Sequence, residues 1–252
     1  MSPRRQKGFT LVELAMALVV VALILGGLLV PLGTQVEQRK ISETQKALDE
    51  IREALIGYAL DGAHSATDGK PYLPCPDTDG DGLEQPRAAG VCPSQEGRVP
   101  WATLGTPKTD AWGNQFRYRV HPSFSSSTAG FTLSSSPNLR VCATAACAAT
   151  LGVNLVAVVL SHGKNGYGAR NDGGSVVAVP AGASADELEN IDGRDNPAAG
   201  TANPDTADTA DVDFVSRTAS EAGTTAGEFD DLVTWLSSNI LFAKVVAAAR
   251  LP

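Results

Sequence analysis

Apolar and polar positions alternate along this chain in three different rhythms. From Phe9 to Val30 the only polar side chains are Thr10 and Glu13. A run of 22 residues rises about 33 Å as a helix, enough to cross a bilayer. Beyond it Ile41, Leu48, Ile51 and Leu55 recur at helical spacing and define one face of an amphipathic continuation over 31–61. Pro31 sits at the junction, where it is expected to bend the helix. Gly57 and Asp61-Gly62 mark its end. A loop-rich stretch follows to about Pro107. Short β-branched and apolar runs then predict strands at Gln115–Val120, Gly130–Ser134, Leu139–Ala143 and Asn154–Ser161. Leu232–Leu236 fits a strand or the start of a helix, and Ser237-Ser238-Asn239 offers capping side chains for a terminal helix over Ile240–Arg250.

These rhythms predict an α+β chain: a long N-terminal helix, transmembrane and then amphipathic, packed against an antiparallel sheet with loop insertions. The globular part spans 62–252. Within it, 186–228 is rich in Ala, Thr, Gly and Asp and reads as a flexible insertion.

Glu13 is out of place in so apolar a run. A carboxylate at mid-bilayer costs roughly 2.5–3.5 kcal/mol, less near an interface, so it is expected to gain a partner on assembly. A secretory signal peptide places a small-residue cleavage site after its apolar region and has no use for an acid at its start. The junction Lys7-Gly8-Phe9-Thr10-Leu11-Val12-Glu13 resembles the N-terminus of type IV pilins and type II secretion pseudopilins. The resemblance implies a leader over 1–8, cleavage after Gly8 by prepilin peptidase, and N-methylation of Phe9. It also gives Glu13 a role in assembly, neutralising the amino terminus of a neighbouring subunit.

Charge sets orientation and narrows the partners. Arg4, Arg5 and Lys7 precede the apolar run, so the N-terminus is expected in the cytoplasm and the head in the periplasm, single-pass in the inner membrane until assembly. Residues 1–40 are net +3 and the remainder net −11. An acidic head repels phosphates, and no nucleic-acid partner is expected. Its acidity fits ordinary solubility or affinity for calcium.

Cys75, Cys92, Cys142 and Cys147, in an exported domain, predict two disulfides. Sequence neighbours pair most simply, although three connectivities are open. Asp77-Thr78-Asp79-Gly80-Asp81-Gly82 begins like a calcium loop, with Asp77, Asp79 and Asp81 as ligands. Ala88 stands where an EF-hand needs Glu, so the alternatives are another cation geometry or an acidic surface turn.

Two further segments, Asp110–Tyr118 and Leu160–Gly166 with Asp230-Asp231-Leu232-Val233-Thr234-Trp235, look like parts of the major pseudopilin. That resemblance implies a second calcium position at Asp230 and Asp231. The chain departs from the pattern with Asn165 in place of an aspartate and more than fifty residues inserted before Asp230. Ser161-His162 has no G-x-S-x-G context, and adjacent strand residues face opposite ways, so no catalysis is expected.

The reading is a non-enzymatic structural subunit, a minor pilin or pseudopilin of a type IV pilus or type II secretion filament. Its expected partners are other subunits, prepilin peptidase and the assembly platform. The alternative is a calcium-dependent adhesin displayed on such a filament.

Overall fold

The computed structural model describes residues 8, 10–66, 68–192 and 212–251, without the side chains of 24–32 and 192. The chain divides into two compact units, Met1–Ser42 and Glu43–Pro252. Helix α1, Leu11–Leu60, begins in the first and ends in the second. Its helical assignment runs through Pro31 without a break.

In the second unit the elements follow as β1 (Glu96–Arg98), α2 (Trp101–Leu104), β2 (Arg117–Val120), α3 (Pro122–Ser125), β3 (Leu139–Cys142), β4 (Thr150–Ser161), α4 (Ala185–Asp192), β5 (Asp213–Val215), β6 (Leu232–Ser237) and α5 (Ser238–Ala247). The strands form one sheet in the order β1-β2-β4-β3-β5, with β6 also paired to β4. All neighbours are antiparallel except β3 and β5.

Three of the four stripe positions expected on α1 face the core, and Ile41 is only half-buried. Leu48, Ile51 and Leu55 pack with Tyr118 and Val120 of β2, Val156 and Val159 of β4, and Leu241 and Val245 of α5. Residues Val158 and Leu160 belong instead to a second, smaller cluster with Val141 and Phe214, as a two-residue alternation requires. Ser237 caps α5, its Oγ accepting the Ile240 amide at 3.4 Å. Leu232–Ser237 is a strand, which resolves the ambiguity between strand and helix there.

Three expectations need correction. Gly130–Ser134 is not a strand: the Thr132 amide donates to Ser135 Oγ at 3.0 Å and the Phe131 amide to the Pro71 carbonyl at 2.9 Å. Hydroxyl side chains here satisfy backbone that a ladder would otherwise use. Second, the loop-rich stretch before Pro107 contains β1, where Glu96 lies opposite Arg119 in the register and ion-pairs with buried Arg117. Third, the insertion expected to be flexible carries regular structure in α4 and β5, while residues 193–211 lie outside the described residues. Strand β5 is held by Arg140, whose Nε and Nη2 each donate to Asp213 at 2.6 Å.

Ile51 is fully buried, whereas Gly57 lies on the exposed side of α1 with nothing within 4 Å of an added Cβ. Ile51→Ala should therefore cost about 2–5 kcal/mol, and Gly57→Ala should gain about 0.5–1 kcal/mol. Urea unfolding of the detergent-solubilised chain, followed by tryptophan fluorescence, measures both.

Candidate functional site

Two sequence-distant segments meet at the end of β4. The loop after Ser161 approaches Asp230 so closely that a Cβ on Gly163 would lie 2.3 Å from the Asp230 carbonyl oxygen, and Gly163 has φ +58. Only glycine suits both demands. The Asn165 amide donates to Asp230 Oδ2 at 2.8 Å. Helix α4 adds a third group: Glu187 Oε1 accepts the Asp230 amide at 2.9 Å and Asn165 Nδ2 at 3.3 Å.

The result is a cluster of three acids, Glu187, Asp230 and Asp231, each offering an oxygen within 4.8 Å of the others. Glu187 and Asp231 are buried. Asn190 Nδ2 donates to Asp231 Oδ2 at 2.7 Å, while Glu187 Oε2 and Asp231 Oδ1 accept no hydrogen bond. Burial first, and then the neighbouring acids, push both carboxyls above their ordinary range. The oxygen-only donor set suits a hard cation.

Asp77, Asp79 and Asp81 also come within 4.8 Å of one another, but their oxygens are spent on the turn itself. Buried Asp77 accepts the amides of Gly80 at 2.6 Å and Gly82 at 2.9 Å, and Arg98 Nη2 lies 3.6 Å from its Oδ1. Asp81 accepts the Leu83 amide at 2.7 Å. Glycine is needed at position 82, where a Cβ would lie 2.4 Å from the Trp101 ring.

Cys75–Cys92 and Cys142–Cys147 stand at bridging distance, with Cα separations of 5.5 and 5.0 Å. Ser161 and His162 do not face one another's chemistry. Ser161 Oγ donates to Asp110 Oδ2 at 2.6 Å, whereas His162 Nδ1 lies 3.9 Å from Asp231 Oδ1.

In the N-terminal unit Gly8 is exposed and Phe9 lies outside the described residues. Helix α1 opens with a reciprocal cap. The Glu13 amide donates to Thr10 Oγ1 at 3.2 Å, and the Thr10 amide returns a bond to Glu13 Oε2 at 2.9 Å. The carboxylate expected to gain its partner on assembly thus already has one in its own chain. Leu11, Leu14, Met16, Leu18 and Leu23 are all more than half exposed. Residues 3–29 match the prokaryotic N-terminal methylation motif. This is the prepilin-type cleavage and methylation segment of type IV pilin-like proteins, and it marks pilin-type structural proteins, not an enzyme family. No curated protein and no solved structure matches the chain. Among the described residues no helix is long and apolar enough to cross a membrane. The span expected at 9–30 runs into Phe9 and the side chains of 24–30, which are not described.

The resemblance named Asp230 and Asp231, which the fold brings beside Glu187; Glu187 itself was not singled out, because it lies in the segment read as flexible. The signal was there: Ser184-Ala185-Asp186-Glu187 has the spacing of a capping box, and the Glu187 amide does donate to Ser184 Oγ at 3.2 Å.

His162 is buried, and burial, with Arg117 next, lowers its pKa from 6.5 to about 3. The unfolded chain takes up this proton near 6.5 and the folded chain does not, so His162 costs stability as pH falls through that window. Glu187 and Asp231, raised in the fold, act with the opposite sign. Comparing wild type with His162→Gln in chelator isolates the histidine. The difference in unfolding free energy should move in the variant's favour from pH 7 to pH 4, by at most about 1.4 kcal/mol per pH unit. Parallel curves would contradict it.

Proposed function

We propose that this chain is a structural subunit of a type IV pilus or type II secretion filament, inserted in the inner membrane as a precursor and processed by prepilin peptidase. The observation that carries the reading is the methylation motif over residues 3–29, within which α1 begins and its apolar side chains from Leu11 to Leu23 stand exposed. A helix apolar all round calls for an apolar environment, lipid first and then the corresponding helices of neighbouring subunits. Arg4, Arg5 and Lys7 before the run favour a cytoplasmic N-terminus and a periplasmic head.

The long insertion in the head favours a minor pilin or pseudopilin, since it would crowd a densely packed major subunit. Two of its segments, α4 and β5, are built into the head, which weighs for a scaffold over a displayed calcium-dependent adhesin. Other subunits and the assembly platform complete the set of partners.

Intact-mass analysis of the membrane-extracted chain, from cells with active prepilin peptidase, should show loss of residues 1–8 and gain of one methyl group on Phe9. An N-terminus still at Met1 would defeat the reading.

The cap at Thr10 separates two roles of Glu13. Glu13→Gln keeps a side chain able to close the capping box but removes the charge proposed to pair with a neighbour's amine. It should insert and be cleaved normally yet be depleted at least tenfold from sheared filaments. Wild-type incorporation of this variant would show that the cap, not the charge, is what matters.

A further inference from the structure

We propose that the cavity lined by Arg98, Arg117 and Arg170 holds one small monatomic anion, chloride, and that this ion joins the β1–β2 ribbon to the loop that follows β4. The proposal is independent of the filament assignment and rests on four features of the head.

Register comes first. Arg98 of β1 lies directly opposite Arg117 of β2, and cross-strand partners present their side chains on the same face of a sheet, where like charges destabilise the pair. On the other edge of β2 the partner of Arg117 is Leu160, which has no charge to offer. The chain beyond residue 40 is net −11, so the arginine pair is not part of a diffuse basic surface.

Second, these two arginines share a small cavity with a third. Gln115, just before β2, and His162 and Arg170, after β4, line it with them. Its volume is about 20 Å³, room for one water-sized particle and too little for sulfate or phosphate. Arg117, Gln115 and His162 are buried, whereas Arg98 and Arg170 are half-buried, which leaves a way in from solvent.

Third, the carboxylates paired with Arg98 and Arg117 are divided between partners. Glu96, paired with Arg117, also lies 3.8 Å from Arg119 Nη1. Asp77 Oδ1 lies 3.6 Å from Arg98 Nη2, beyond hydrogen-bond reach, and accepts the Gly80 amide at 2.6 Å instead. Among the described residues, the buried Arg98 Nε has no hydrogen-bond partner. A buried cationic donor left in that state is costly, and an anion in the cavity supplies the missing acceptor.

Fourth, the neutral groups around the cavity are committed elsewhere. Gln115 Nε2 donates to the Asn171 carbonyl at 3.1 Å, and the Gly168 and Ala169 amides donate to the carbonyls of Val177 and Gly166 at 3.1 and 3.0 Å. His162 is kept neutral, first by burial and then by Arg117. The guanidinium groups therefore select the ligand. Water in the cavity would leave the repulsion between Arg98 and Arg117 standing, whereas an anion offsets it. A carboxylate brings a carbon chain for which the cavity has no room.

The test uses the full-length chain in a non-ionic detergent with chelator, so that no divalent cation contributes. Sodium chloride is titrated against sodium gluconate at constant ionic strength, with the line width of the chloride NMR signal reporting bound ion. At ten times its dissociation constant, chloride should raise the melting temperature by about 3–6 °C. Bromide should remove the excess line width, and acetate should not. Arg98→Gln keeps an amide donor but loses the charge, and should bind at least tenfold more weakly. Lys164→Gln, at an exposed position of the loop after β4, should bind as wild type does. Hydrogen exchange of the wild-type chain needs no variant: amides of 96–98 and 168–170 should exchange at least tenfold more slowly in chloride than in gluconate. Absence of excess line width in wild type would overturn the proposal, as would binding kept in Arg98→Gln or lost in Lys164→Gln. Unchanged exchange of both segments under saturating chloride would overturn the joining of ribbon and loop, and displacement by acetate as effective as that by bromide would overturn the choice of a monatomic ion.

Discussion

Strand β4 needs hydrogen-bond partners on both edges and apolar cover on both faces, and most of the head follows from meeting that need. Over Ala157–Leu160 it pairs with β2 and with β6, and its first half pairs with β3. An unpaired backbone group in such a buried strand would cost free energy comparable to a lost hydrogen bond. One face is covered by the amphipathic half of α1 together with α5, and the other belongs to the cluster around Val141 and Phe214. The chain leaving β4 at Ser161 and the chain entering β6 at Leu232 are therefore neighbours. That adjacency brings the glycine-rich loop against Asp230 and Asp231.

Between those two points lies the insertion, and the way it docks differs from the rest of the head. Helix α4 is attached through side-chain polar groups. Asn190 exchanges hydrogen bonds with the Val215 amide and carbonyl at 2.7 and 2.9 Å, and Asp186 accepts the Ala145 amide at 2.8 Å. Such contacts are directional, and each contributes only about 0.5–1.5 kcal/mol net. They fix where the helix lies more than they hold it there.

At the other end of the chain the Thr10–Glu13 cap changes how the acid of the methylation motif is understood. One carboxylate oxygen, Oε2, accepts bonds from both the amide and the hydroxyl of Thr10 at 2.9 Å, so the charge is partly compensated before any neighbour arrives. A capping acid at a helix start also interacts favourably with the helix dipole. The same residue thus starts the helix in the single subunit while its side chain stays exposed.

The local rhythms of the sequence were enough to determine the long helix, its core-facing stripe at Leu48, Ile51 and Leu55, the strands around Tyr118, Val141 and Val158, and the cap of α5 at Ser237. Each depends on periodicity or on a side chain reaching its own backbone. The methylation motif was legible for the same reason, because a peptidase reads a contiguous segment. What the sequence could not disclose were β1 and β5, three residues each, which exist as strands because β2 and β3 offer them an edge. It also misplaced a strand at Gly130–Ser134, where local hydroxyl bonds prevailed over β propensity. It pointed to the Asp77 loop ahead of Asp230 and Asp231 as a cation site, since composition does not reveal whether an oxygen is already occupied. The carboxylates of Asp77 and Asp81 close onto their own turn through bonds two to five residues long, whereas tertiary structure alone carried Glu187 across 42 residues to Asp230, because burial and long-range hydrogen bonds are properties of the packed chain.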